Sequence, residues 1–77
     1  MTVSEFRKSA EYAKCKKRIE NYSKGFRFTL SINKIPAAKM RALRVLTDDC
    51  IKEGILESVS FGLDIHGNLV DETFERK

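Results

Sequence analysis

The sequence predicts an α+β fold in the order α-β-α-β-β: one small domain over residues 1–77, with a three-stranded, mainly antiparallel sheet and two helices packed on one face. Three observations predict it. Phe26, Phe28, Leu30 and Ile32 alternate with Arg27, Thr29 and Ser31, the two-residue period of a half-buried strand. Pro36 and Gly54 bracket a stretch of helical periodicity. Val59, Phe61, Leu63 and Ile65 then alternate with Ser58, Ser60, Gly62 and Asp64, which returns the chain to a strand.

The first helix opens on Thr2-Val3-Ser4-Glu5, a capping-box pattern in which the Thr2 hydroxyl accepts from the Glu5 amide and the Glu5 carboxylate reaches back. It is expected to run to about Ser23, with Lys24 near its negative end and Gly25 at the stop. Its apolar residues form two stripes. Tyr12, Cys15, Ile19 and Tyr22 lie next to the strand and are assigned to the core. Val3, Phe6, Ala10 and Ala13 fall roughly opposite and form a candidate docking edge, unless the helix is bent and Phe6 folds back onto the core. Between the stripes, Arg7, Lys14 and Arg18, with Lys17 beside them, make the densest basic ridge in the chain.

Asn33-Lys34-Ile35 links the first strand to the second helix, and Pro36 suits the first helical position. That helix carries an apolar arc of Ala42, Leu43, Leu46 and Cys50, flanked by Met40 and Ile51. Arg41, Arg44, Asp48 and Lys52 lie opposite, where Arg44–Asp48 and Asp48–Lys52 are i,i+4 neighbours of a solvated face. After Gly54 the second strand leads to a turn at His66-Gly67, and the third strand covers Leu69 to Phe74. A two-residue turn pairs Leu63 with Val70 and Val59 with Phe74, but sets Glu72 against Phe61; a longer turn pairs Leu63 with Leu69. The first strand pairs with the second in parallel, or the third lies between them with every pair antiparallel. Clean alternation favours the latter, because it marks strands with one solvated face.

Composition narrows function by exclusion. With 42% hydrophobic and 34% charged residues the chain is foldable rather than disordered. A domain of this size buries only about 60% of its unfolded surface, so a shallow working surface is expected in place of a deep catalytic pocket. Cys15 and Cys50 are too few for a disulfide framework and lack metal spacing, so both are read as buried free thiols. The N-terminus is polar by its fourth residue and no apolar run approaches about 18 residues. The expectation is therefore no membrane partner and a cytoplasmic location.

The net charge of +4 is unevenly placed. Residues 1–27 hold eight Lys/Arg against three acids, residues 28–54 five against three, and residues 55–77 two against five. The basic first helix can meet an anionic partner, and a second copy can meet it head to tail as a homodimer.

Catalysis is not expected. The only histidine, His66, sits at a predicted turn, and no HExxH, CxxC, GxGxxG or Walker-type loop exists, so no cofactor or metal is expected. Asp48-Asp49 and Asp71-Glu72 are adjacent pairs whose side chains diverge on a helix or strand. The outward strand positions Arg27, Thr29, Ser31, Ser58, Ser60, Gly62 and Asp64 include no aromatic on which a base could stack. The reading is a non-enzymatic binding module, of adaptor or inhibitor type, that docks on a larger acidic protein. Phe6 and Ala10 are its apolar contacts, and Arg7, Lys14, Lys17 and Arg18 steer it. The alternative is a nucleic-acid binder whose Arg7/Lys14/Lys17/Arg18 ridge contacts phosphates.

Overall fold

A computed structural model describes residues 2–77. The chain runs α1 (Val3–Arg7), α2 (Ala10–Glu20), β1 (Arg27–Ser31), a 3₁₀ turn (Ile32–Lys34), α3 (Ala37–Lys52), β2 (Leu56–Leu63) and β3 (Leu69–Arg76). The sheet order is β1-β3-β2 with both pairs antiparallel, so the last strand in sequence is the central one. The α+β class and the antiparallel arrangement are those expected.

The expected single N-terminal helix is instead two. The capping box forms, with the Glu5 amide donating to Thr2 Oγ1 at 3.1 Å and the Thr2 amide donating to Glu5 Oε1 at 3.2 Å. Beyond the Lys8 C-cap, Ser9 then interrupts the helix. Its backbone is extended at φ −77, ψ 153, its hydroxyl donates to the Phe6 carbonyl at 2.6 Å, and its oxygen accepts from the Tyr12 amide at 3.1 Å. Serine thereby closes one helix and caps the next, offering the backbone polar partners that a continuous helix would not use. The bend turns the Phe6 ring edge-on to Tyr12 at 5.3 Å and 84°. Phe6 is half-buried against the core, the outcome expected of a bent helix. The second helix ends at Glu20, before the expected Ser23.

The core draws on Tyr12 and Ile19 of α2, Leu46 and Cys50 of α3, Leu56 of β2 and Phe74 of β3, with Cys15, Tyr22, Phe28 and Leu30 half-buried around them. Phe28 and Phe74 are cross-strand partners whose rings stack at 5.5 Å. Pro36 precedes α3 as its N-cap rather than occupying its first turn. The helix stops in a tight motif: Gly54 takes φ +74, its amide donates to the Ile51 carbonyl at 3.1 Å, and the Ile55 amide donates to that of Cys50 at 2.9 Å. Two crossed bonds around a left-handed glycine satisfy the last free carbonyls.

Three details of the sheet bear on the expected register. The hairpin takes the longer turn, pairing Leu63 with Leu69, because Asp64 Oδ1 accepts from the amides of both His66 (2.8 Å) and Asn68 (2.9 Å) while Gly67 adopts φ +81. These bonds hold the Asp64 carboxyl below its ordinary value. A register shift between Ser58 and Ser60 leaves Val59 as an extra residue and turns Ser58 onto the same face as Phe74. Phe61 does face Glu72, and Glu72 satisfies itself by accepting from Ser58 Oγ at 2.7 Å and from Arg44 Nη1. Arg44 therefore leaves the solvated face expected for it and binds the sheet in place of Asp48.

Candidate functional site

The five-residue α1 lies against α3 without filling the space between them. Thr2, Val3 and Phe6 form one wall of an open groove of about 490 Å³, and Ala38, Arg41, Ala42 and Val45 form the other. The α3 residues follow the i, i+3, i+4, i+7 spacing of one helical face. Two alanines keep that face low, which is why a groove remains. Val3 is 50% exposed, and Arg41 sets an exposed guanidinium beside otherwise apolar walls. Such a surface suits a segment with both an apolar side chain and a carboxylate.

The predicted partner-binding residues divide into three groups. Phe6 lines the groove and also packs on Tyr12. Arg7 is tied into the fold: its Nε and Nη2 donate to the two Asp49 oxygens at 2.9 and 2.8 Å. That paired geometry raises the Arg7 guanidinium above its ordinary value and lowers the Asp49 carboxyl. Ala10, Lys14, Lys17 and Arg18 are all exposed on α2. At about 100° per residue they share an arc opposite buried Tyr12 and Ile19. Among the described residues Lys14, Lys17 and Arg18 form no ion pair, whereas Lys16 on the flank binds Glu53 at 2.6 Å.

Below Arg7 the polar residues make a shallow dent of about 270 Å³ lined by Tyr12, Lys16, Asp49, Lys52 and Glu53. One group that lines it, Tyr12, is shifted upward. Burial, and then the 2.6 Å bond it donates to Asp49 Oδ2, push the Tyr12 phenol up to about 12. Burial pushes the nearby Cys50 thiol up to about 11, which suppresses the thiolate needed for nucleophilic attack. The adjacent acids diverge as expected. Asp71 faces Gly62, whereas Glu72 meets Arg44 and Ser58. His66 is exposed on the hairpin turn, and among the described residues no three His, Cys, Asp or Glu side chains converge as a metal site.

On the face that carries Thr29 and Thr73, those hydroxyls bond at 2.8 Å and Arg27 binds Glu75 at 2.9 Å. No aromatic residue alternates onto it. Phe61, 65% exposed, belongs to the opposite face beside Glu72.

Two features depart from the expected pattern. Ala42, expected in the core arc of α3, lines the groove with Ala38, Arg41 and Val45. Phe61, Leu63 and Ile65, whose alternation with Ser60, Gly62 and Asp64 points them inward, are 65%, 54% and 95% exposed. No protein-family model, curated protein or solved structure matches the chain, so its functional reading rests on this geometry alone.

Proposed function

We propose that this chain is a non-enzymatic binding module, of adaptor or inhibitor type, which docks on a larger protein through an acidic, partly apolar segment of that partner. The observation that carries the reading is the α1–α3 groove: apolar walls from Val3, Phe6, Ala38, Ala42 and Val45 with Arg41 among them. An apolar side chain of the partner fills the groove and a carboxylate meets Arg41. Lys14, Lys17 and Arg18 add long-range attraction within a segment that holds eight basic residues and three acids. A reducing, cytoplasmic setting fits two free cysteines, one of them fully buried.

A second reading has its own observation. Lys14, Lys17 and Arg18 present three cations on one helix face with no carboxylate bound to them among the described residues, as a phosphate-tracking surface requires.

Two sets of variants separate the readings. Val3→Glu and Arg41→Glu alter exposed groove residues. The triple variant Lys14→Glu/Lys17→Glu/Arg18→Glu reverses the α2 face. Protein docking predicts that a partner recovered by the wild-type chain, purified and titrated back, loses at least about tenfold in affinity to either groove variant, a penalty of about 1.4 kcal/mol. Thermal melting should be unchanged. Unaltered affinity in both groove variants rejects the docking site. Binding to DNA or RNA that collapses with salt, survives the groove changes and disappears in the triple variant establishes the second reading instead.

A further inference from the structure

The β1-β3-β2 order leaves β2 as an edge strand, and an edge exposes backbone donors and acceptors ready to pair. On β2 and just beyond it lie three of the most exposed large apolar residues: Phe61, Leu63 and Ile65. Phe61 and Leu63, two apart, share one face of the strand. β1, the other edge, has its apolar residues Phe28 and Leu30 half-buried against the core.

We propose that the β2 edge is a homodimer surface, pairing antiparallel with β2 of a second copy about a two-fold axis through Gly62. The occupant follows from the sequence of the edge itself. Reading outward from Gly62 in both directions, Phe61 meets Leu63 of the second copy and Ser60 meets Asp64. Phe61 and Leu63 are then matched, twice over by symmetry, while each Asp64 faces a serine rather than another acid. Gly62 faces itself across the axis and brings no side chain to it. The interface is isologous and closes at two copies, which leaves both β1 edges outermost. The extra residue at Val59 bends the strand and ends the ladder on one side, and the Asp64–Gly67 turn ends it on the other. The backbone pairing therefore centres on residues 61–63, with Ser60 and Asp64 flanking it.

That span is short of the ~800 Å² per copy of a standard interface, so dissociation is expected on the order of 100 µM. It is independent of the α1–α3 groove, and either site can fail alone.

Sedimentation velocity of the full chain over a concentration series should show a reversible monomer–dimer equilibrium. Amide hydrogen exchange should slow with concentration within residues 60–64. Phe61→Lys and Leu63→Lys, which place charges at exposed positions, should each leave a monomer with an unchanged melting curve. Should either lysine variant unfold, Ser60→Glu, which sets a like charge against Asp64 of the second copy, gives the same readout. A wild-type chain that stays monomeric up to about 1 mM overturns the proposal. So does a dimer that survives the lysine changes, or one whose exchange protection falls on α1, α2 or α3.

Discussion

Asp49→Ala should destabilise the fold well beyond what a surface ion pair provides, and its partners show why. The carboxylate accepts from Tyr12 Oη at 2.6 Å and from two Arg7 nitrogens at 2.8 and 2.9 Å, with its own side chain 15% exposed. Tyr12 is itself in the core, so truncation strands a phenol hydroxyl at the core's edge. A hydrogen bond to a charged acceptor contributes about 1.5–3 kcal/mol, and an unsatisfied buried donor costs a similar amount. The Arg7 side chain is 47% exposed and its pairing is screened by solvent, so it adds little. The expected loss is about 2 kcal/mol, against a total stability of about 8 kcal/mol at ~0.1 kcal/mol per residue. Urea denaturation of wild type, Asp49→Ala, Tyr12→Phe and the double variant measures it, and the cycle should return a coupling of about 1–2 kcal/mol. Arg7→Ala should fall far short of Asp49→Ala. The pH dependence has a fixed sign. Asp49 is lowered from its ordinary 3.8 in the fold, so its contribution is whole above that pH and is lost as pH falls further. Equal losses for Arg7→Ala and Asp49→Ala, with no Tyr12 coupling, would show that the ion pair rather than the phenol governs this contact.

Raised folded values for Cys50 (9.0 to about 11) and Tyr12 (10.0 to about 12) mean that stability is whole below pH 9 and falls as pH climbs through 9–12. Tyr12→Phe should flatten the upper part of that decline in pH-dependent urea melts. Gly54→Ala places a Cβ at φ +74 in otherwise open space and should cost about 1 kcal/mol through backbone strain alone; an unchanged melting temperature argues against the left-handed cap. Ser9→Ala removes the α2 cap and should also cost about 1 kcal/mol. A frayed α2 N-terminus should also lower the helical signal in circular dichroism, and unchanged stability and helicity would contradict the assigned role of Ser9.

Patterns internal to one element were legible in the sequence, and those set by contact between elements were not. Period-two alternation located β1 and β2, the helical stripe picked Tyr12 and Ile19 for the core, and Thr2-Val3-Ser4-Glu5 announced its capping box. Ser9 carries the same capping chemistry, but the flanking residues continue a helical pattern on both sides of it and mask the break. The hairpin register turned on whether Asp64 gathers the His66 and Asn68 amides, a choice that alternation alone cannot make. Alternation likewise assigns Phe61 and Leu63 to a face without showing that nothing covers it. Arg44 departs from its expected solvated face for a related reason: its partner, Glu72, lies 28 residues away on another element, beyond what i,i+4 spacing within the helix can show. For the candidate site, the cationic positions Lys14, Lys17 and Arg18 were readable, but the groove required knowing that α1 would lean on α3.

The position of β3 at the middle of the sheet has a consequence for cooperativity. β1 and β2 never touch as neighbours; each is zipped only to residues 69–76, with Arg27 opposite Glu75. Neither outer strand has a partner until that stretch joins the sheet, so withdrawal of β3 leaves Phe28 of β1 and Leu56 of β2 without their ladders in a single step.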